Sequence, residues 1–447
     1  MANSRIIDND KYSKQGVKQL SLNEKEYPCP PFSSNDKVNQ YFLKSWEIFT
    51  QIPFPSKKDE AWRRTPIVDL EINSFLHVPS RNKKNSVTKS FTASNGDDFS
   101  GQIRLNSGNT KIIIKSELLD SGVIFEDLQS ALEKYPDKLS SMLGSIVPAS
   151  DGKFAALTSA LAGRGAILIV PEGRKLDLPF RITITDPRPN TANYYHIIIW
   201  LESGSKTSVM IEHLSTRGNS TEQAMIGDVI EVSVGEGAKL ELCEVQALGT
   251  EVWSFSHQRA RINQEGEINW IFGGFGGHLN KTFVDVDLVG RHANANVGGL
   301  FISDGNQLFD FDTQQNHLEA YTKSDLLFKG ALKGKSKSVW QGMIHVASNA
   351  RGADGYQKCS NLILSDTAKA SAIPGLEILN NDVKCSHGAT ISKLSPDELF
   401  YLQTRGVSKD EGEELLLRGF FNQITEMIKV PGNRKLFEQK IDKKLGN

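Results

Sequence analysis

Cysteine is scarce in this chain. The four present, Cys29, Cys243, Cys359 and Cys385, are too few and too scattered to form a disulfide framework for 447 residues. No C-x-x-C or H-E-x-x-H pattern occurs, which argues against a closed zinc site built from this chain alone. Neither sign of charge predominates: 52 basic against 53 acidic residues leave a net charge of −1. Nothing global therefore points to nucleic acid or to an acidic surface. No apolar run approaches the ~20 residues of a membrane span. The opening Met1-Ala2-Asn3-Ser4-Arg5 lacks the apolar core of a secretory leader. The expectation is a soluble cytoplasmic protein with neither membrane nor nucleic acid as partner.

Helical periodicity is missing from the middle of the chain and present at both ends. Residues 1–160 are expected to form an N-terminal, largely helical region. A polar lead ends at Tyr27-Pro28-Cys29-Pro30-Pro31, and Val38, Tyr41, Phe42, Trp46 and Phe49 then recur at helical spacing. The charged stretch Phe54 to Pro66 is expected to be a solvated turn anchored by Trp62. Residues 80–100 have linker composition, and helical spacing returns over 124–162. From Gly165 the texture becomes β, starting with Ala166-Ile167-Leu168-Ile169-Val170. Turn-like markers follow at Gly204-Ser205-Lys206, Gly237-Ala238-Lys239, Gly266-Glu267-Ile268, Ala293-Asn294-Ala295, Lys335-Ser336-Lys337, Gly352-Ala353-Asp354 and Ala368-Lys369-Ala370. Their spacing suggests a unit of about 15 residues and a coil of about 30. Residues 161–392 are thus expected to form a stacked β-solenoid, or failing that a β-sandwich, with helical regions capping either end. In residues 393–447, Ser395-Pro396-Asp397-Glu398 and Ser408-Lys409-Asp410-Glu411 each read as a capping box, with Gly406 ending the first helix. Leu416, Leu417, Phe420, Phe421, Ile424, Met427 and Ile428 give the second helix a broad apolar side, best read as core packing.

The chemistry-bearing stretch is Val383 to Thr390. Cys385 and His387 are two residues apart and share a face of an extended strand. A thiolate and an imidazole suit iron, zinc or copper. Cys359 lies 28 residues before His387, close to one coil, so stacking would bring the two onto neighbouring coils. The alternative reading makes the cysteines small buried hydrophobes and His387 a hydrogen-bonded core residue. Gly330-Ala331-Leu332-Lys333-Gly334-Lys335-Ser336 has three residues between its glycines where a phosphate-binding loop needs four, and no helix follows. The chain is therefore expected to bind no nucleotide itself. Gly273 to His278 reads as a strand corner. Asp310 and Asp312, on one strand face, raise the option of a β-helix carbohydrate-active enzyme, although alternate aspartates are more often a solvated face.

Asn361-Leu362-Ile363-Leu364-Ser365, Ile373-Pro374-Gly375-Leu376-Glu377-Ile378, Asp382 to Thr390, and Leu399-Phe400-Tyr401-Leu402 through Arg405-Gly406 resemble the SufB/SufD scaffold proteins of iron–sulfur cluster assembly, SufD in particular. Weaker similarity lies at Lys58-Asp59-Glu60-Ala61-Trp62, at Ile169-Val170-Pro171-Glu172-Gly173, and at His317 with Phe328-Lys329-Gly330. The resemblance implies a right-handed parallel β-helix core flanked by N-terminal and C-terminal helical regions. It implies a SufB-like sister subunit paired through the β-helices. It also implies a SufC-like ATPase on the C-terminal helical domain, here around Phe400, Tyr401, Arg405 and Gly406. A transient iron–sulfur cluster would form at the subunit interface, and the chain itself would be a non-catalytic scaffold. His387 corresponds to the histidine implicated at that interface, with Cys359 and Cys385 as further metal ligands. Ser386 and Gly388 resemble SufD, where SufB carries an acidic pair. Cys359 falls where SufB-like sequences carry a cluster-related cysteine, which leaves a SufB-like or self-pairing scaffold with Cys359 as sulfur acceptor as the alternative.

Overall fold

The computed structural model describes residues 33–78, 86–92, 99–106, 109–118, 120–185, 188–215 and 222–445, together with Leu22 and Cys29. Apart from those two and residue 33, the polar lead expected over 1–33 lies outside the described residues.

From Arg164 to Lys393 the strands alternate between two sheets, and every pairing among them is parallel. The chain therefore winds as a parallel β-solenoid with two strands per coil. Lys206, Lys239, Glu267, Asn294, Lys323, Asp354 and Lys384 stand in register on successive coils, about 30 residues apart. Alternation within each strand sends every second side chain into the lumen. Ile197, Ile199, Ile211, Ile226, Ile230, Leu242 and Trp270 meet there and are buried. Burying each such side chain stabilises the fold by roughly 1.5–3 kcal/mol. The coil reverses at tight corners: Gly204 and Gly237 take φ values of 65° and 61°, a left-handed conformation that any other residue adopts with strain.

The N-terminal region is mixed rather than largely helical. Helix Asp36–Gln51 starts at Asn35, whose side chain accepts from the Lys37 and Val38 amides, and buries Val38, Phe42, Trp46 and Phe49 as its spacing requires. The residues expected as a linker contain strand Ser86–Thr92, which pairs with Asn109–Lys115 and extends the eleven-stranded sheet. A strand at a sheet end is held by backbone hydrogen bonds, so a polar composition does not prevent it. Residues 79–85 and 93–98 of that stretch lie outside the described residues. Ile124–Asp127 is likewise a strand, ahead of helices Leu128–Lys134, Pro136–Ser140 and Lys153–Leu161.

Trp62 anchors its turn by packing on Phe154, Phe255 and Phe283, with ring centroids 5.4, 6.0 and 6.0 Å away. Beneath it Lys281, fully buried, holds Asp310 at 3.0 Å, Asp312 at 3.6 Å and the Ala61 carbonyl at 2.8 Å. Thr65 Oγ1 donates to the same Asp310 oxygen. Burial pushes the Asp310 carboxyl up to about 6, with Lys281 acting against it. Asp310 and Asp312 thus tether the N-terminal turn to the solenoid wall. Both carboxylates are engaged by Lys281 rather than standing free as a pair.

Three helices, Pro396–Thr404, Lys409–Thr425 and Pro431–Leu445, follow the last strand. Ser395 and Ser408 cap the first two; Ser408 and Glu411 form a complete capping box, and Gly406 at φ 87° closes the first helix. Leu417, Phe421, Ile424 and Ile428 pack on Met210, Cys243, Ile271, Leu300 and Leu327. These five belong to the outer face of the eleven-stranded sheet. The C-terminal helices therefore lie along the solenoid wall rather than over its end, because the apolar surface that matches their stripe is on the wall.

Candidate functional site

The last coil is made of strands Lys369–Ile378 and Val383–Lys393, each the terminal member of its sheet. Among the described residues neither has a partner on its outer edge. Leu376, Ile378, Leu379 and Ile391 around this end are 37–57% exposed, an apolar rim beside unpaired backbone groups. An uncovered edge of this kind is a template for another chain.

The functional residues follow from register. Ala353, Gly355, Gln357 and Cys359 stand opposite Val383, Cys385, His387 and Ala389. The penultimate strand buries Ala353, Gly355, Gln357 and Cys359, so Cys385 and His387 sit on the lumen-facing side of the last one. No further coil covers them: Cys385 is half-buried and His387 exposed. Burial raises the Cys385 thiol above its ordinary range, opposed by the Gly355 backbone hydrogen bond.

Cys359 is on the neighbouring coil and the same face, as expected, but it faces Ala389 and lies two residues out of step with His387. It is fully buried, its sulfur accepts from Asn361 Nδ2 at 3.3 Å, and burial pushes its thiol up to about 12. The structure thus brings Cys385 and His387 together on an open face and leaves Cys359 in the core. Among the described residues no group of three or more His, Cys, Asp or Glu side chains converges to hold a metal. Phe400 and Tyr401 are 68% and 56% exposed on a helix that buries none of its residues. Arg405 lies 5.2 Å from the Tyr401 ring, next to Gly406.

Residues 182–420 match the SUF system FeS cluster assembly SufBD core domain, and residues 31–182 match the SufBD protein N-terminal region. The chain belongs to the SufBD family. Iron-sulfur cluster assembly SufBD family proteins of Staphylococcus haemolyticus, Staphylococcus aureus and Staphylococcus epidermidis are each 28% identical to it over 315 residues, 70% of this chain and 67% of the relative. The SufBD core domain here contains the solenoid from strand Phe180–Thr185 onward, with Cys359, Cys385, His387 and the stretch Phe400 to Gly406 that ends the first C-terminal helix. No helix among the described residues is long and apolar enough to cross a membrane.

Sequence reasoning missed two residues beside this SufBD site, Gly355 and Gln357. Each faces a candidate ligand across one ladder position, a relation that only the register reveals.

Proposed function

We propose that this SufBD family chain is the SufD-like, non-catalytic scaffold subunit of a cytoplasmic SUF complex. A SufB-like sister subunit would pair with its free strand edges. A SufC-like ATPase would dock on the helix bearing Phe400, Tyr401 and Arg405, ahead of Gly406. The observation that carries this reading is the placement of Cys385 and His387 on an uncovered terminal coil. An imidazole and a thiol there offer part of a coordination sphere, which a sister chain completes as it docks. Iron or a nascent cluster held this way is shared between two proteins, so separating them releases it.

The burial of Cys359 supports the SufD-like reading over a SufB-like or self-pairing scaffold. A sulfur acceptor must present a thiolate, and this thiol lies in the core. Mapping persulfide after incubation with a cysteine desulfurase separates the two, since only the SufB-like reading expects Cys359 to load as the main acceptor. The principal test is His387→Ala in the co-expressed complex. The expected result is intact assembly of all subunits with strongly reduced cluster yield; normal yield would refute the role of His387.

A further inference from the structure

His317 ends strand Leu308–His317 with its ring fully buried in the lumen, two coils inside the open end. Its Nδ1 is 2.8 Å from Thr322 Oγ1 and its Nε2 is 2.8 Å from Ser324 Oγ. The Thr322 hydroxyl donates to the Glu319 carbonyl at 2.9 Å, so its oxygen is left to accept and Nδ1 carries the ring proton. Gln315 Nε2 donates to Ser324 Oγ at 2.5 Å, which directs the Ser324 hydrogen onto the Nε2 lone pair. A backing acceptor that fixes the tautomer and leaves Nε2 facing outward is the arrangement of a metal-binding histidine. Here only a rotatable hydroxyl occupies that lone pair.

Nε2 faces Gly355. A Cβ at that position would stand 3.1 Å from His317 Nε2 and 3.3 Å from Cys385 Sγ. The two heteroatoms therefore flank one point above Gly355, which the Ile344 Cγ2 methyl also approaches at 3.1 Å. One further atom beside His317 is unpartnered. Gln315 Oε1, two residues from His317 on the same inward face, is buried and has no partner among the described residues, while its Nε2 holds the Ser324 hydroxyl.

We propose that Cys385 Sγ and His317 Nε2 form a thiolate–imidazole seat for a borderline divalent cation, just inside the open coil from His387. The proposal rests on the reading of that coil as a cluster-assembly face and adds a place where the metal is held before the sister chain completes its coordination. A soft sulfur and a borderline nitrogen with open positions select such an ion over magnesium or calcium. Bonds of about 2.0–2.3 Å require only that the two side chains close on each other.

The test uses the full chain under anaerobic conditions with cobalt(II) alone as probe. Wild type is expected to show the near-ultraviolet sulfur-to-cobalt charge-transfer band. Cys385→Ala is expected to lose it, and His317→Gln to weaken binding at least tenfold. Gly355→Ala removes no ligand but puts a methyl in the gap, and should also weaken binding, which covers the case in which His317→Gln fails to fold. A band that survives in Cys385→Ala, or an affinity unchanged in Gly355→Ala, overturns the seat. Loss of cluster yield in His387→Ala without any cobalt band in wild type would sink the seat and spare the scaffold reading. A cobalt band that behaves as expected, with normal cluster yield in both His387→Ala and Cys385→Ala, would uphold the seat and sink that reading.

Discussion

Lys281→Met should detach the N-terminal turn from the solenoid without unfolding the solenoid. Lys281 Nζ sits 4.6 Å from the Phe283 ring centroid and 5.7 Å from that of Trp62, in addition to its bonds to Asp310, Asp312 and Ala61. Methionine keeps the stem and removes the charge. Asp310, fully buried, then keeps only the Thr65 hydroxyl, because its Oδ1 already lacks a partner. Removing one member of a buried pair costs about 3–5 kcal/mol. Asp310 can escape part of this by taking up a proton, since its carboxyl already lies near 6, so about 3 kcal/mol is expected at neutral pH. The loss falls on the contact between Ala61 and the wall. Trypsin should therefore cut at Arg63 or Arg64 well before the solenoid opens, and the Trp62 fluorescence should red-shift. Lys281→Met with Asp310→Leu removes both charges and should recover most of the loss. Strict additivity in that double variant, or unchanged tryptic cutting in the single one, would refute the account.

Two further outcomes follow from other parts of the molecule. Glu244 lies in the lumen, where burial pushes its carboxyl up from the ordinary carboxylate range to about 7, despite donors from Trp270 Nε1 at 2.7 Å and Gln258 Nε2 at 2.9 Å. The folded value lies above the unfolded one, so its stabilisation is whole below the unfolded value and is lost as pH rises through the folded one. Between pH 6 and 8 this amounts to about 1 kcal/mol. The urea midpoint of wild type should fall across that range by more than that of Glu244→Gln; parallel slopes would exclude it. Phe400→Ser combined with Tyr401→Ser removes two exposed rings and should leave thermal stability within about 0.5 kcal/mol, while capture of a SufC-like ATPase in a pull-down is lost. Retained capture would move the docking surface elsewhere.

The solenoid was legible because its corners are marked, but the marks mixed two stacks. Lys206, Lys239, Glu267 and Asn294 belong to one sheet, whereas Lys337 pairs with Lys369 in the other. Passing from one stack to the other produces intervals of half a coil, which is why a unit of about 15 residues shows beside one of about 30. The same uneven coil length misled the cysteine argument. Cys359 lies 28 residues before His387, yet this coil places Gln357 opposite the histidine and Cys359 opposite Ala389, and both inward positions of that strand are buried. Lys281 and Asp310 are direct register partners, a relation invisible while the coil length was known only approximately. The tether of His317 to Thr322 and Ser324 is local and was within reach of the sequence. What lay beyond it was Gly355, which matters through the side chain it lacks.

The two ends of the solenoid are treated differently, and the difference explains where chemistry can occur. At the first coil, strand Ile124–Asp127 closes the ten-stranded sheet by antiparallel pairing, and Ile112, Ile114, Leu118 and Phe125 join the lumen core there. At the last coil the helices that could have served as a lid lie along the wall instead. A bare parallel edge is a standing hazard for aggregation. Pro374, within strand Lys369–Ile378, withholds one backbone donor from the ten-stranded sheet at its terminal strand. Strand Val383–Lys393 contains no proline and carries Cys385 and His387. In the proposed complex, a chain docking edge to edge finds the fuller set of backbone donors on the strand bearing both candidate ligands. Pairing and the proposed metal coordination are then satisfied by the same approach, and pulling the edges apart breaks both at once.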